Sequence, residues 1–175
     1  MMAEIKNHLE VKLFVAVLFR DKNILDSALQ KLSEYFGEID FESGEYDFSF
    51  THYYENEMGS GLKKKFFSFE KLINREELPE IKLLTNSTEL EFSANDRRKV
   101  NIDPGYLTAH NIVVASAKEL SHRMFIGKGI FGDIQLIFKN NNFSPLPTTF
   151  ADYRQEKIIN LFNVIRQKYL SQLRE

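Results

Sequence analysis

VKLFVAVLF (residues 11–19), followed by RDKNILDSALQKLSEYFG (residues 20–37), is the stretch that decides the fold. Its first nine residues are almost continuously apolar and rich in Val and Phe, the composition of a strand buried on both faces. Arg20 and Asp21 end it, and Asp21 is placed to cap a helix. From Lys22 to Phe36, Ile24, Leu25, Ala28, Leu29, Leu32, Tyr35 and Phe36 recur at helical spacing on one face. Gly37 marks that helix's end. A strand, a helix and a return within so short a stretch open a β-α-β unit.

Working outward, EIDFE (38–42) and YDFSFTHYY (46–54) both alternate, with Ser43-Gly44 between them. Period two on both sides of a short turn predicts a β-hairpin. The opening is then β-α-β-β, the order that begins ferredoxin-like domains. ENEMGSGLKKK (55–65) reads as a flexible polar loop, with Lys63, Lys64 and Lys65 as a basic lid over it or a solvated run. Phe66, Phe67 and Phe69 must dock in a core. A helix is expected from Pro79 to Ala94. Val100 to Ile102 reads as a short strand and Asp103-Pro104-Gly105-Tyr106 as a rigid turn. Asn111 to Ala117 is a buried strand. Arg123–Ile126 and Ile130–Phe138 are strands about Gly127-Lys128-Gly129. Pro145 and Pro147 mark an irregular crossing, and Ile158, Leu161, Phe162, Ile165, Tyr169 and Leu173 form a long C-terminal helix, with Asp152 near its positive end. The fold expected is α+β in one domain spanning 1–175: a mainly antiparallel, mixed sheet with helices packed on it.

Composition narrows the function. Hydrophobic residues are 43% and charged residues 27% of the 175, which fits a globular chain able to bury a core. There is no Cys, so thiol chemistry, disulfides and thiolate metal sites are excluded. No apolar run is long enough to span a membrane and no signal peptide is visible, so the expected setting is the cytoplasm. Net charge is −2, which makes nucleic acid a poor partner and any anion site local.

The most mixed signals lie in RRKVNIDPGYLTAHNIVVASAKELSHR (97–123). Arg97, Arg98, Lys99, Lys118 and Arg123 stand there against Asp103 and Glu119, a basic stretch in an acidic chain. Arg forks suit phosphate and carboxylate, although a charge run also serves as a plain solvated edge. Arg97, Arg98, Lys118 and Arg123 are the candidates for holding an anion. Asn101, Tyr54, Tyr106 and Arg154 are candidates for contacting the ligand, and Asp103 and His122 for acid-base work. Asp103 has a structural alternative as the residue that starts the turn. His122 is the histidine beside an Arg and near Lys118; His8 sits at a frayed terminus and His52 alternates with Phe48 and Phe50. No His pair has metal-binding spacing. Glu55 and Glu57 with Asp103 or Asp133 are the only oxygen set worth weighing for magnesium, and no metal or cofactor is assigned. P-loop, dinucleotide-binding, nucleophile-elbow and kinase motifs are absent, as is RNA-recognition patterning.

RRKVNIDPGYL, NIVVASAKELSHR, GIFGDIQLIF and FSPLPTTFADYR, together with THYYENEMG (51–59), resemble an uncharacterised prokaryotic family, a domain of unknown function with an NIDPGYL-type motif. Some of its members carry the label GTP-binding protein. The resemblance places the family's pattern on Tyr54, Glu57, Met58, Gly59, Arg98, Asn101, Asp103, Pro104, Gly105, Tyr106, Lys118, His122, Arg123, Asp152, Tyr153 and Arg154. Many of these are polar, which implies a site. The function expected is binding of, or action on, a small anionic and phosphate-bearing ligand. The alternative is a non-enzymatic interaction module or complex subunit. The first expects the candidate side chains within one pocket, and Arg98, Asp103 and His122 on opposite sides of the domain would rule it out. Oligomeric state is not legible.

Overall fold

The structure is a computed structural model and describes residues 8–51, 53–95 and 97–174; His52 lies outside the described residues. β1 (Val11–Phe19) is the central strand, and every one of its nine residues is buried. It is followed by α1 (Lys22–Phe36), β2 (Ile39–Glu42), β3 (Tyr46–Asp47), a single turn α2 (Glu55–Met58), β4 (Lys63–Ile73) and α3 (Leu78–Glu91). The second half supplies β5 (Val100–Leu107), β6 (Asn111–Ser116), β7 (Met124–Gly127), β8 (Ile130–Lys139), β9 (Asn142–Pro145) and α4 (Glu156–Gln172). The strands form one nine-stranded sheet in the order β2-β4-β1-β5-β6-β8-β7, with β3 on β4 and β9 on β8. Its ladders are antiparallel. Since β1 and β2 each run antiparallel to β4, they are parallel to one another, and α1 is the crossover between them.

Helices cover both faces. α1, through Leu25, Ala28, Leu32 and Phe36, and α3, through Ile81, pack on Leu13, Val15 and Val17. α4, through Ile158, Leu161, Phe162 and Ile165, packs on Phe14, Ala16 and Phe66. Alternation along β1 therefore feeds two cores, and each fully buried Phe or Leu contributes about 1.5–3 kcal/mol. Lys12 is the exception in β1. Its Nζ lies 2.6 Å from Asp40 Oδ2 and 2.8 Å from Gln172 Oε1, which ties β1 to β2 and to the end of α4. Burial pushes the Lys12 ammonium below its ordinary value, against the pull of Asp40.

Several local expectations change. Ser43-Gly44 is no hairpin turn: β2 and β3 both pair with β4, Glu42 opposite Phe67 and Tyr46 opposite Lys64, so 39–47 is one edge with a break in it. Ser43 Oγ accepts the Phe66 N–H, which bridges the break. The polar loop begins as helix α2, and Lys63, Lys64 and Lys65 belong to β4, paired with Glu45, Asp152 and Glu42. They are no lid, because the carboxylates that hold them arrive from distant segments. Asp152 faces Lys64 at 2.5 Å instead of capping α4, whose cap is Gln155. His8 is tied to Asn74 through a 2.8 Å hydrogen bond. The Lys128-Gly129 turn, with φ of 52° and 75°, makes the expected β7-β8 hairpin. Asn140 and Asn141, at φ 51° and 60°, make a second one, and β9 replaces the start of the irregular crossing.

The largest change concerns Asp103-Pro104-Gly105-Tyr106. It is the second half of strand β5, paired with β1 along its length, Pro104 opposite Val15 and Gly105 opposite Phe14. Neither residue serves a turn. A Cβ on Gly105 would stand 2.6 Å from the Phe14 ring and 2.5 Å from the Val113 carbonyl oxygen, so the position needs glycine for space.

Candidate functional site

Pro104 opens the site. β5 pairs with β6 only over Gly105–Leu107, opposite Val114–Ile112. Backbone groups of alternate residues point the same way in a strand, so Ile102, Pro104 and Tyr106 face β6. Proline has no N–H for the ladder. Beyond it the two strands part, and a cleft of about 570 Å³ lies between them. The exposed edge of β5 is closed from below by a helix. Lys82 Nζ donates to the Ile102 carbonyl at 3.0 Å, and Glu89 Oε1 accepts the Ile102 N–H at 2.6 Å. Two side chains of α3 thus take the place of the missing strand.

These groups belong to one network. Lys82 Nζ also donates to Asp103 Oδ1 at 3.1 Å, and Asn101 Nδ2 to Asp103 Oδ2 at 2.8 Å. Arg98 grips Glu57 with a two-pronged fork, Nε to Oε1 at 2.6 Å and Nη2 to Oε2 at 2.7 Å. Its Nη1 reaches Glu89 Oε2 at 2.8 Å and Asn101 Oδ1 at 3.0 Å. Burial pushes the Asp103 carboxyl up, but the charges of Lys82 and Lys64 and the hydrogen bonds from Lys82 and Asn101 outweigh it and hold it below its ordinary value. For Glu89, 3% exposed, burial wins over Lys82, the Ile102 N–H and Arg98, and the carboxyl is raised. Arg98 holds Glu57 below the usual carboxylate range. Tyr54 is raised by burial, with the charge of Asp103 adding to it.

The opposite wall comes from the end of β6. Arg123, only 6% exposed, donates from Nε to Asp133 Oδ2 at 2.8 Å and from Nη1 to Ser116 Oγ at 2.7 Å and the Lys118 carbonyl at 2.9 Å. Its guanidinium carbon lies 5.8 Å from the Phe150 ring centre. Lys118 Nζ sits 3.9 Å above the Tyr53 ring and holds that phenol below its ordinary value. Continued two residue pairs past Gly105–Val114, the register would set Ser116 opposite Asp103. Arg123, held on Ser116 beyond β6, and Asp103 on β5 both line the cleft.

Of the residues singled out in the sequence, Tyr54, Arg98, Asn101, Asp103, Lys118 and Arg123 line this cleft. Four do not. Arg97 is exposed and bridges back to Ala94. Tyr106 packs among the core residues beneath α3. Arg154 is spent on the carbonyls of Thr149 and Pro147. His122 does not line the cleft, so the expectation of one pocket holds for Arg98 and Asp103 and fails for His122, whose Nε2 lies 3.5 Å from the Asp133 oxygen that Arg123 also holds. Lys82 and Glu89 went unnoticed at the sequence level. Their signal is the inward stripe of α3, Leu78, Ile81, Lys82, Thr85, Thr88 and Glu89, where polar residues occupy core positions. Glu57, Asp103 and Asp133 each face a cation, and among the described residues no group of three His, Asp or Glu is placed to hold a metal ion. Among them, too, no helix is long and apolar enough to cross a membrane.

Fold and site together define an α+β protein built on one antiparallel sheet, with a cleft lined by charged and aromatic side chains where a central ladder is interrupted. The chain belongs to the family described as a domain of unknown function (DUF4416), whose model matches residues 9–169. No curated protein and no solved structure matches it.

Proposed function

We propose that this protein binds a small anionic ligand, a phosphate ester by preference, in the cleft between β5 and β6. The observation that carries this is the wall formed by Lys118 and Arg123. Arg123 is fixed through Nε and Nη1, and no hydrogen bond runs from its Nη2 to a described residue. A buried guanidinium held rigid on one side, with donors left on the other, suits a phosphate oxygen. Arg98 does not take this role, since Glu57, Glu89 and Asn101 engage it. A thermal-shift screen with inorganic phosphate, sugar phosphates, nucleotides and divalent metals tests the reading. Phosphate-bearing compounds should raise the melting temperature by a few degrees at concentrations well above Kd. A screen in which none does so counts against it.

A second reading, an interaction module, is favoured by one observation. β7 is one of the two end strands of the sheet order, and Met124 and Phe125 on it are both 64% exposed. Sedimentation at increasing concentration, repeated with Phe125→Ser, tests it: self-association that the substitution removes supports it. We further read the chain as one domain in a cytoplasmic setting. We read β1-α1-β2-β4-α3-β5 as a ferredoxin-like half, supported by the order β2-β4-β1-β5, in which β4 inserts between the two parallel strands.

A further inference from the structure

The cleft has two walls of different chemistry, and the difference restricts what fills it. Lys118 and Arg123 offer hydrogen-bond donors and positive charge. Across the gap Asp103 offers only acceptors. Its carboxylate is 28% exposed, enough to meet a ligand, and each oxygen so far accepts one hydrogen bond, from Lys82 or from Asn101. A carboxylate has room for about four, so two acceptor positions remain. The phosphate group of a doubly ionised monoester held by Arg123 has no donor to give them, so any donor must come from the rest of the ligand.

We propose that the ligand is a phosphate monoester of a polyol, its phosphate on Lys118 and Arg123 and its hydroxyls donating to Asp103. This rests on the anion-binding reading above and names the class of ligand within it. Hydroxyls fit better than an ammonium. Lys82 Nζ is already 3.1 Å from Asp103 and balances its charge, so a second cation there meets repulsion, whereas a neutral O–H completes the acceptor shell. The carboxylate is also rigid in the way selective recognition needs. Lys82 is anchored a second time on the Ile102 carbonyl, and Asn101 is fixed by Arg98. A ligand lacking the hydroxyls leaves Asp103 under-bonded and desolvated, and sites built to hydrogen-bond a hydroxyl discriminate strongly against analogues without one. Tyr54 and Phe150, which also line the cleft, give it aromatic surface for the carbon skeleton.

Titration calorimetry with glycerol 3-phosphate and propyl phosphate tests this. The two esters share charge and chain length and differ in two hydroxyls. Wild type should bind glycerol 3-phosphate at least tenfold more tightly. Asp103→Asn, with folding checked by a cooperative melt, should erase that difference. If both esters bind wild type equally, the polyol proposal is overturned and the anion site stands. If neither binds, both fall. Because the wild-type comparison decides by itself, the proposal stays testable even if Asp103→Asn fails to fold.

Discussion

At the residue scale, Pro104 and Gly105 show how the same local chemistry serves different ends. Read by itself, Asp-Pro-Gly-Tyr is a turn. Read against its neighbours, Pro104 ends a ladder and Gly105 makes room for Phe14. Local propensity was outweighed by a contact with a residue nearly a hundred positions away, which no window of the sequence contains. Gly105→Ala should therefore destabilise the fold by about 3 kcal/mol, measured by chemical denaturation, since its Cβ meets a backbone oxygen and a packed ring. A neutral outcome would mean that Phe14 moves aside freely. Asp103 makes a second prediction. Its folded pKa is depressed, so its stabilisation is fully present above the unfolded value of about 3.9 and disappears as pH falls through the lower folded value. Asp103→Asn should flatten the loss of stability between pH 5 and pH 2. Glu57, also depressed, acts with the same sign. Glu89, raised in the fold, acts oppositely, losing stabilisation as pH climbs from about 4.3 through its folded value.

At the scale of elements, periodicity decided what was legible. β1 follows from its unbroken apolar run, buried on both faces, α1 and α4 from apolar spacing that keeps one face against the core, and the β7-β8 hairpin from its Gly turn. The edge at 39–47 is not legible without its partner: two alternating runs flanking Ser-Gly have the pattern of a hairpin, yet both pair with β4. Lys63, Lys64 and Lys65 looked solvated for the same reason. α3 is the element whose function was least visible. Four of the six residues in its inward stripe are polar, and two of them, Lys82 and Glu89, replace a strand at the edge of β5. Lys82→Met leaves the Ile102 carbonyl without a donor and Asp103 without its cation. It should cost about 2–3 kcal/mol and speed hydrogen exchange near Ile102. Exchange unchanged from wild type would mean that Glu89, which accepts the Ile102 N–H, holds the edge of β5 without Lys82.

At the scale of the molecule, the sheet and the site are one construction. A central strand with cores on both faces fixes β5, proline releases β5 from β6, and helix α3 holds the released edge open. The basic stretch of 97–123 is thereby divided. Arg97 and His122 fall outside, Arg98 becomes a brace between α2 and α3, and Lys118 and Arg123 line the same cleft as Asp103. Six of the ten candidate residues meet in one place, yet the two that hold Asp103 and Ile102 in position, Lys82 and Glu89, come from a helix that the sequence offered only as scaffold. The measurement that tests this account most directly is calorimetric titration of glycerol 3-phosphate into wild type and Lys118→Ala at two salt concentrations. The account predicts one saturable site, weakened about tenfold by the substitution and further by salt. No binding to wild type, or equal affinity in the two proteins, would contradict it.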